Sequence, residues 1–446
     1  MKSTALVSLA AAALAACSFF VFTGTPAAAD ADAATTMFRA DAAHRGVYDS
    51  AAPNLTAVKW RFQTKGRIFS SPVVDAGAVF VGSSDARLYA VRASDGTELW
   101  RFATKGSVNS TPAVWNQTVY FSSLDGNIYA VNESDGKERW RFRTGGERRF
   151  TAPGIHGIRP STEVMPDPYD VFLSSPAVWN GTVYVGSGDH NVYAIDAQSG
   201  TLRWKFSTGN VVHASPAVAD GTVYIGSWDR YLYALDARTG AIRWKFQTGD
   251  DREIYNQVGI AGSAAVADGT VYFGCRDSHF YALDAKSGAL RWKRDENGSW
   301  VIGSPAIAGK TVLYTTSDER KFFAVDAQSG SLKFSIAYNA YSFSSPSVAG
   351  NVAYYGSFDG KLYGVDVTSG EVVARFSTDA STRGLPAHLD KSGNLDMSTF
   401  YREPTLDGVI VGLSGVYNLG SIAGSPSLSG GTLFIGSTDG TLYAID

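Results

Sequence analysis

Six histidines are the first residues to weigh for chemistry in this chain: His44, His156, His190, His213, His279 and His388. No two stand at an HxH or HExxH spacing, so no pair presents two imidazoles to one metal ion. No GxSxG turn raises a serine, and no GxxxxGK[ST] loop is there to wrap a phosphate. No catalytic group and no metal-ligating set is assigned. The informative residues are those suited to binding: His156, Arg159, His190, His213, Trp228, Arg230, Arg276, His279, Arg320, Arg383 and His388. Exposed aromatic and arginine side chains suit a peptide, a sugar or an anion. Taken singly, each is more simply read as an ordinary loop residue.

These residues gain meaning from the repeat they interrupt. Residues 181–204 read GTVYVGSGDHNVYAIDAQSGTLRW, residues 221–244 GTVYIGSWDRYLYALDARTGAIRW, and residues 269–292 GTVYFGCRDSHFYALDAKSGALRW. A period near forty residues signals a repeat architecture. Within each unit, short runs rich in Val, Ile, Tyr and Thr are bounded by Gly, Asp, Asn and Ser, which predicts four antiparallel strands joined by tight turns. A first-strand marker, usually Ser-Pro, falls at Pro72, Pro112, Pro176, Pro216, Pro305, Pro346 and Pro426, with Ala264 in the same slot. The expected fold is therefore all-β, a single eight-bladed β-propeller. The last unit stops at Asp446 after its third strand, while a strand of the missing type opens the chain at 58–64. The N-terminal strand is expected to complete the last blade and close the ring, removing the open edge of a linear array.

Insertions lengthen three blade junctions, at 144–171, 249–259 and 378–420. All three follow a fourth strand, so all three should rise from the face that carries the turns between second and third strands, around the channel mouth. Loops on a rigid scaffold are where binding tends to sit. His190, Trp228, Arg230, Arg276, His279, Glu319, Arg320 and Phe358 lie in or beside those turns. His213 and Trp300 begin first strands. His156, Arg159, Arg383 and His388 lie in the insertions. Within the third, 407–416 reads as an added strand. Two recurrent slots are structural by their repetition: the tryptophans at 60, 100, 140, 204, 244 and 292 pack blade on blade, and one Asp per unit, from Asp85 to Asp439, caps its turn.

The pattern YALDAxTGxxxW, at 233–244 and with Ser for Thr at 281–292, resembles the repeat of the pyrroloquinoline-quinone (PQQ) propellers. The resemblance spans 58–446 and is specific for fold more than for activity. It implies two relatives of different kinds: quinoprotein dehydrogenases, and the propeller lipoproteins of outer-membrane barrel assembly. In the dehydrogenases PQQ sits over the ring centre with Ca²⁺, an Asp base and often an adjacent Cys-Cys disulfide. This chain has no Cys-Cys pair and no CxxCH for a fused haem. Asp390, Glu403 and Asn418 are the third insertion's only Ca²⁺-ligand candidates.

Composition agrees with one turn-dense domain at 56–446, preceded by an N-terminal leader segment at 30–55, of which 30–36 is read as disordered and 37–48 is expected to pack on the body, with His44 structural. The chain has 446 residues, 47 Gly and a formal charge of −3, and no basic tract, so nucleic acid is not an expected partner. Residues 1–29 form a signal peptide: Lys2, an apolar run, and Ala27–Ala29 before Asp30. Leu14 to Cys17 also resembles a lipobox, which would anchor the chain by lipid at Cys17. The aromatic residues after Cys17 favour simple secretion. No later stretch is apolar enough to span a membrane. Cys275 occupies a slot that holds Ser or Thr in the other units and is read as a small packing residue.

The expected function is that of a secreted or cell-envelope protein, monomeric and non-catalytic, binding a protein or polymer through the inserted face without a cofactor. The alternative is a PQQ-dependent dehydrogenase of alcohols or sugars, requiring PQQ and Ca²⁺. A third reading places a hydrolase or lyase site in the insertions, on His156 or His388 with a nearby Arg or Tyr401.

Overall fold

The computed structural model describes residues 36–250 and 258–446. The signal-peptide and lipobox readings, and most of the second insertion, lie outside the described residues. Each repeat folds as the alternation of its side chains requires. In the third blade Ala177–Trp179, Thr182–Gly186, Asn191–Asp196 and Leu202–Ser207 pair antiparallel in sequence order. The middle strands are buried on both faces and the outer strand alternates exposed with buried. Eight such sheets form the ring.

Closure is by strand exchange. Val58–Gln63 pairs antiparallel with Thr441–Ile445, as the outer strand of the sheet that ends the chain. A second circuit runs around the axis. The backbone N–H of each residue before the first-strand marker donates to the hydroxyl of its counterpart in the next blade: Ser71 to Thr111, Thr111 to Ser175, then Ser215, Ser263, Ser304, Ser345, Ser425 and back to Ser71, all at 2.8–3.1 Å. The Ser-Pro marker thus supplies both a donor and an acceptor to this inner hoop, leaving neither unmet in the dry interior.

Between blades, each recurrent Trp lies on a glycine of the next. Trp204 donates from Nε1 to Ala237 O (2.8 Å), and its ring covers Gly240, where a Cβ would come within 2.7 Å of the indole. Gly240 also has φ 73°, a region that favours glycine. Seven of the eight turn aspartates cap as expected. Asp189, for example, accepts from Asn191 N (3.1 Å), the backbone N–H of Gly145 and the Tyr193 hydroxyl (2.6 Å). Asp318 instead meets the Ser317 hydroxyl, because in its unit Glu319 stands in the capping slot.

The channel is stoppered at both ends. At the end carrying the turns between first and second strands, the N-terminal segment crosses the inner strands: Val218, Val266, Ile307 and Val348 donate backbone N–H bonds to Ala42, Ala43, Arg45 and Gly46. Val47–Tyr48 then pairs parallel with Ser347–Ala349. His44 is buried here, and burial pushes its pKa down to about 3. At the other end lie the insertions. Gly145 and Gly249 hydrogen-bond to the second-to-third-strand turns at Asp189 and Asp277, and Thr378 to the turn at Gly360, so the described parts of all three insertions share one face.

The stretch expected as an added strand is instead a helix, α2, Leu406–Tyr417. Thr405 caps it by accepting from Gly408 N, and Val409, Leu413, Val416 and Tyr417 recur on its buried side. That spacing is helical. The β-branched run that suggested a strand is overridden by packing against the ring mouth. A short helix, α1, Asp379–Gly384, precedes it, capped by Thr378.

Candidate functional site

The first and third insertions meet over the ring. Arg159 N donates to Pro404 O (2.7 Å), and the hydroxyls of Tyr169 and Tyr401 lie 3.0 Å apart. Beneath them one apolar cluster joins Phe150, Ile155 and Met165 of the first insertion, Leu385, Leu413 and Tyr417 of the third, and Trp228, Trp300 and Phe358 from the blades.

Buried charge pins the first insertion. Asp167, with no exposed surface, accepts from Arg276 Nη1 (2.6 Å), His156 Nε2 (2.8 Å) and Tyr169 N (2.8 Å). The Arg276 guanidinium lies between two indoles, 4.4 Å from Trp228 and 4.1 Å from Trp300. Phe150 stacks on Trp228 at 4.3 Å. Burial opposes ionisation of Asp167, but Arg276 and His156 overcome it and hold the carboxyl well below the usual range. A second knot lies alongside. His213 Nδ1 meets Asp170 Oδ1 at 2.7 Å and its Nε2 is 3.5 Å from Glu147 Oε2. Burial alone would lower its pKa, but the two carboxylates raise it to about 10, so His213 is an imidazolium at neutral pH. Asp170 also accepts from Phe150 N, and Asp167 N donates to Phe150 O, so both knots grip one residue.

The residues singled out in the sequence therefore divide. Trp228 and Arg276, expected as exposed, are 2% and 1% exposed and are engaged within the protein; His213 is 6% exposed and equally engaged. The reason is the first insertion, which covers their turns. Trp300 and Phe358 are buried with them. His156 joins Arg276 through Asp167 and lines a recess of about 350 Å³ with Tyr169, Tyr401, Arg402 and Glu403. Its pKa is lowered, chiefly by burial. With Nε2 donating to Asp167, a neutral His156 offers Nδ1 as a hydrogen-bond acceptor. Its φ of 55° is uncommon for a non-glycine residue.

His190, Arg230 and Arg320 lie one per turn, with φ of 72°, 72° and 54° in the slot that Gly126, Gly360 and Gly440 fill elsewhere, and Arg320 lines a recess with Asp390 and Asp396 of the third insertion. Arg230 lies 3.5 Å from Asp250, and the His279 ring contacts Asp277 O at 2.7 Å. Arg383 is exposed on α1. His388 contacts Thr399 Oγ1 (3.0 Å) and Phe400 within its own insertion. Arg159 is exposed at the seam of the two insertions. Not singled out in the sequence are Lys65, Arg67, Lys105 and Leu124. They carry no motif; the fold places Arg67 and Leu124 beside the third insertion, with Lys65 and Lys105 at the starts of the neighbouring blade junctions.

On the axis, a cavity of about 60 Å³ is lined by Phe38, Phe69, Phe172, Phe343, Ile302 and the serine hoop. The Ca²⁺ candidates do not converge. Asp390 caps its own loop through Ser392 N and Asn394 N, Glu403 borders the His156 recess, and Asn418 ends α2.

An eight-bladed ring of four-stranded sheets, closed by its N-terminal strand and capped by insertions on one face, defines a PQQ-type propeller. The chain belongs to the family of outer membrane protein assembly factor BamB, whose model matches residues 51–151, 156–295 and 253–446. No curated protein matches the sequence. Among solved structures it is similar to BamB from Moraxella catarrhalis (14% identity, 87% of this chain and 96% of that one, TM-score 0.62). It is similar also to a europium-containing methanol dehydrogenase (14%, 90% and 90%, 0.65) and to the quinohemoprotein alcohol dehydrogenase of Comamonas testosteroni (14%, 92% and 79%, 0.65). At these identities the likeness is one of fold.

Proposed function

We propose that this protein is a non-catalytic binding scaffold working outside the cytoplasmic membrane, engaging a protein partner through the face that carries the insertions. The observation that carries this reading is how the ring mouth is filled. The first and third insertions pack Phe150, Leu413 and Tyr417 onto the blades where the dehydrogenases of this fold hold a quinone. The axial space left is about 60 Å³, against roughly 300–1,000 Å³ for ordinary ligand sites. The residues on the axis do not fit PQQ, and two buried carboxylates of the first insertion, Asp167 and Asp170, are taken up by Arg276 and His213. The leader at 1–29 supports export, and membership of an outer-membrane assembly family supports a protein partner in the envelope.

The test is a titration of the mature protein with PQQ and Ca²⁺, followed by Trp fluorescence and thermal melting. A ligand that binds only the folded state raises the melting temperature. The expected result is no saturable signal and no shift. A saturable rise in melting temperature would replace this reading with the quinoprotein one.

A further inference from the structure

A groove of about 520 Å³ runs on the inserted face between the first two blades and α2, with Arg67, Arg149, Leu124, Ile410, Leu413 and Tyr417 among its walls. Two features coincide in it. The first is apolar exposure: Ile410 and Val411, adjacent on α2, are 46% and 68% exposed, and Leu124 across the groove is 36% exposed. The buried side of α2 is satisfied by the ring mouth, so these side chains serve nothing inside the protein.

The second is unpaired charge. On the outer strands of three successive blades an arginine is paired with the carboxylate of the preceding turn: Arg203 with Asp196, Arg243 with Asp236 and Arg291 with Asp284, at 2.7–2.9 Å. The cations at the groove, like Lys205, Lys245 and Lys293 on those same strands, have no such carboxylate. Arg67 meets only the Ser414 hydroxyl (2.7 Å) and the face of Tyr417 (5.3 Å). Lys65 and Lys105, which begin the two blade junctions there, and Arg148 and Arg149 are exposed, and among the described residues none has an ion-pair partner. Three nearby carboxylates are engaged elsewhere: Asp85 and Asp125 accept the backbone N–H of Lys65 and Lys105 (2.9 Å each), and Glu147 binds Ser187 and Gly188, while Asp407 in the first turn of α2 is exposed. Four exposed cations and the half-buried Arg67 thus lie in or beside the groove, in a chain of net charge −3. The groove is also preorganised, because Phe150, next to Arg149, is held by Asp170 and stacked on Trp228.

We propose that this groove binds an acidic peptide segment with interspersed apolar side chains, its carboxylates meeting Arg67, Arg149 and the flanking lysines, and its apolar groups covering Leu124, Ile410 and Val411. The proposal rests on the scaffold reading and gives its partner a chemistry. Charge complementarity selects the sign of the partner and speeds encounter, while the central apolar contact supplies most of the affinity.

The probe is a short fluorescein-labelled peptide alternating Glu with Leu and Phe, read by anisotropy at low and high salt. Beside it run the same peptide with Lys for Glu, and phosphatidylglycerol vesicles. The acidic peptide is expected to bind saturably and more weakly at high salt, the basic peptide not to bind. Lys105→Glu with Arg149→Glu should weaken binding about tenfold or more, and Ile410→Ser with Val411→Ser should weaken it at both salt concentrations. All four substitutions are at exposed positions, so an unchanged melting temperature is the control. Equal binding of both peptides, no binding of either, indifference to both variants, or binding to vesicles alone would overturn the proposal. The scaffold reading fails on a different signal, PQQ uptake, so the two failures are distinguishable.

Discussion

At the scale of single residues, the most informative side chain is one that looked like a ligand contact and proves to be a rivet. His213 sits between Asp170 and Glu147, its pKa raised to about 10 from 6.5. A raised folded-state pKa gives stabilisation that is fully present below about pH 6.5 and lost as pH climbs toward 10. The stability difference between the wild type and His213→Gln, measured by urea denaturation, should therefore be largest near pH 6 and shrink steadily up to pH 10. A difference constant across that range would show that the imidazolium is not what the two carboxylates hold. Asp167 behaves in the opposite sense. Its depressed pKa gives stability that is lost as pH falls. Neither partnership was legible in the sequence. His156, Asp167 and Arg276 are brought together by the ring, across 109 positions of chain between Asp167 and Arg276, and no local spacing signals such a meeting. Buried ion pairs of this kind add little net stability but are costly to break; here they fix where an insertion lies.

At the scale of elements, most of the fold was legible because the repeat states it many times over. Recurrent Trp, Gly, Asp and Ser-Pro slots each correspond to one contact seen in blade after blade, and the truncated last unit foretold the strand exchange. The insertions were legible in position, since a junction after a fourth strand has only one face to rise from. They were not legible in content: α2 occurs once, so no repetition corrected the β-branched run at Val409–Val411. The closing strand yields a prediction. Trp60→Ala and Trp204→Ala remove equivalent rings, each donating one indole hydrogen bond to the next blade, and each should cost about 3–5 kcal/mol. Only Trp60 belongs to a strand held across the chain termini, and its release bares the edge of the buried apolar strand Thr441–Ile445. Trp60→Ala alone should give concentration-dependent oligomers by light scattering. If both variants stay monodisperse, closure depends less on this strand than the topology implies.

At the scale of the whole molecule, two ends of one channel are put to different uses. The N-terminal segment seals one by backbone hydrogen bonds to four inner strands. The insertions seal the other with an apolar cap, and their outer surface carries the exposed apolar and cationic side chains. A ring filled in this way keeps an axial cavity of only about 60 Å³, and the scaffold function proposed above rests on that. The measurement that reaches this claim most directly is site-specific photo-crosslinking in the cell that makes the protein. A photoreactive residue is placed at Arg149 or Val411 on the inserted face, and at Gln117 or Lys310 in exposed turns of the opposite end. Discrete protein adducts from the first pair and none from the second are predicted. Adducts from Gln117 or Lys310 with none from Arg149 or Val411 would contradict the account.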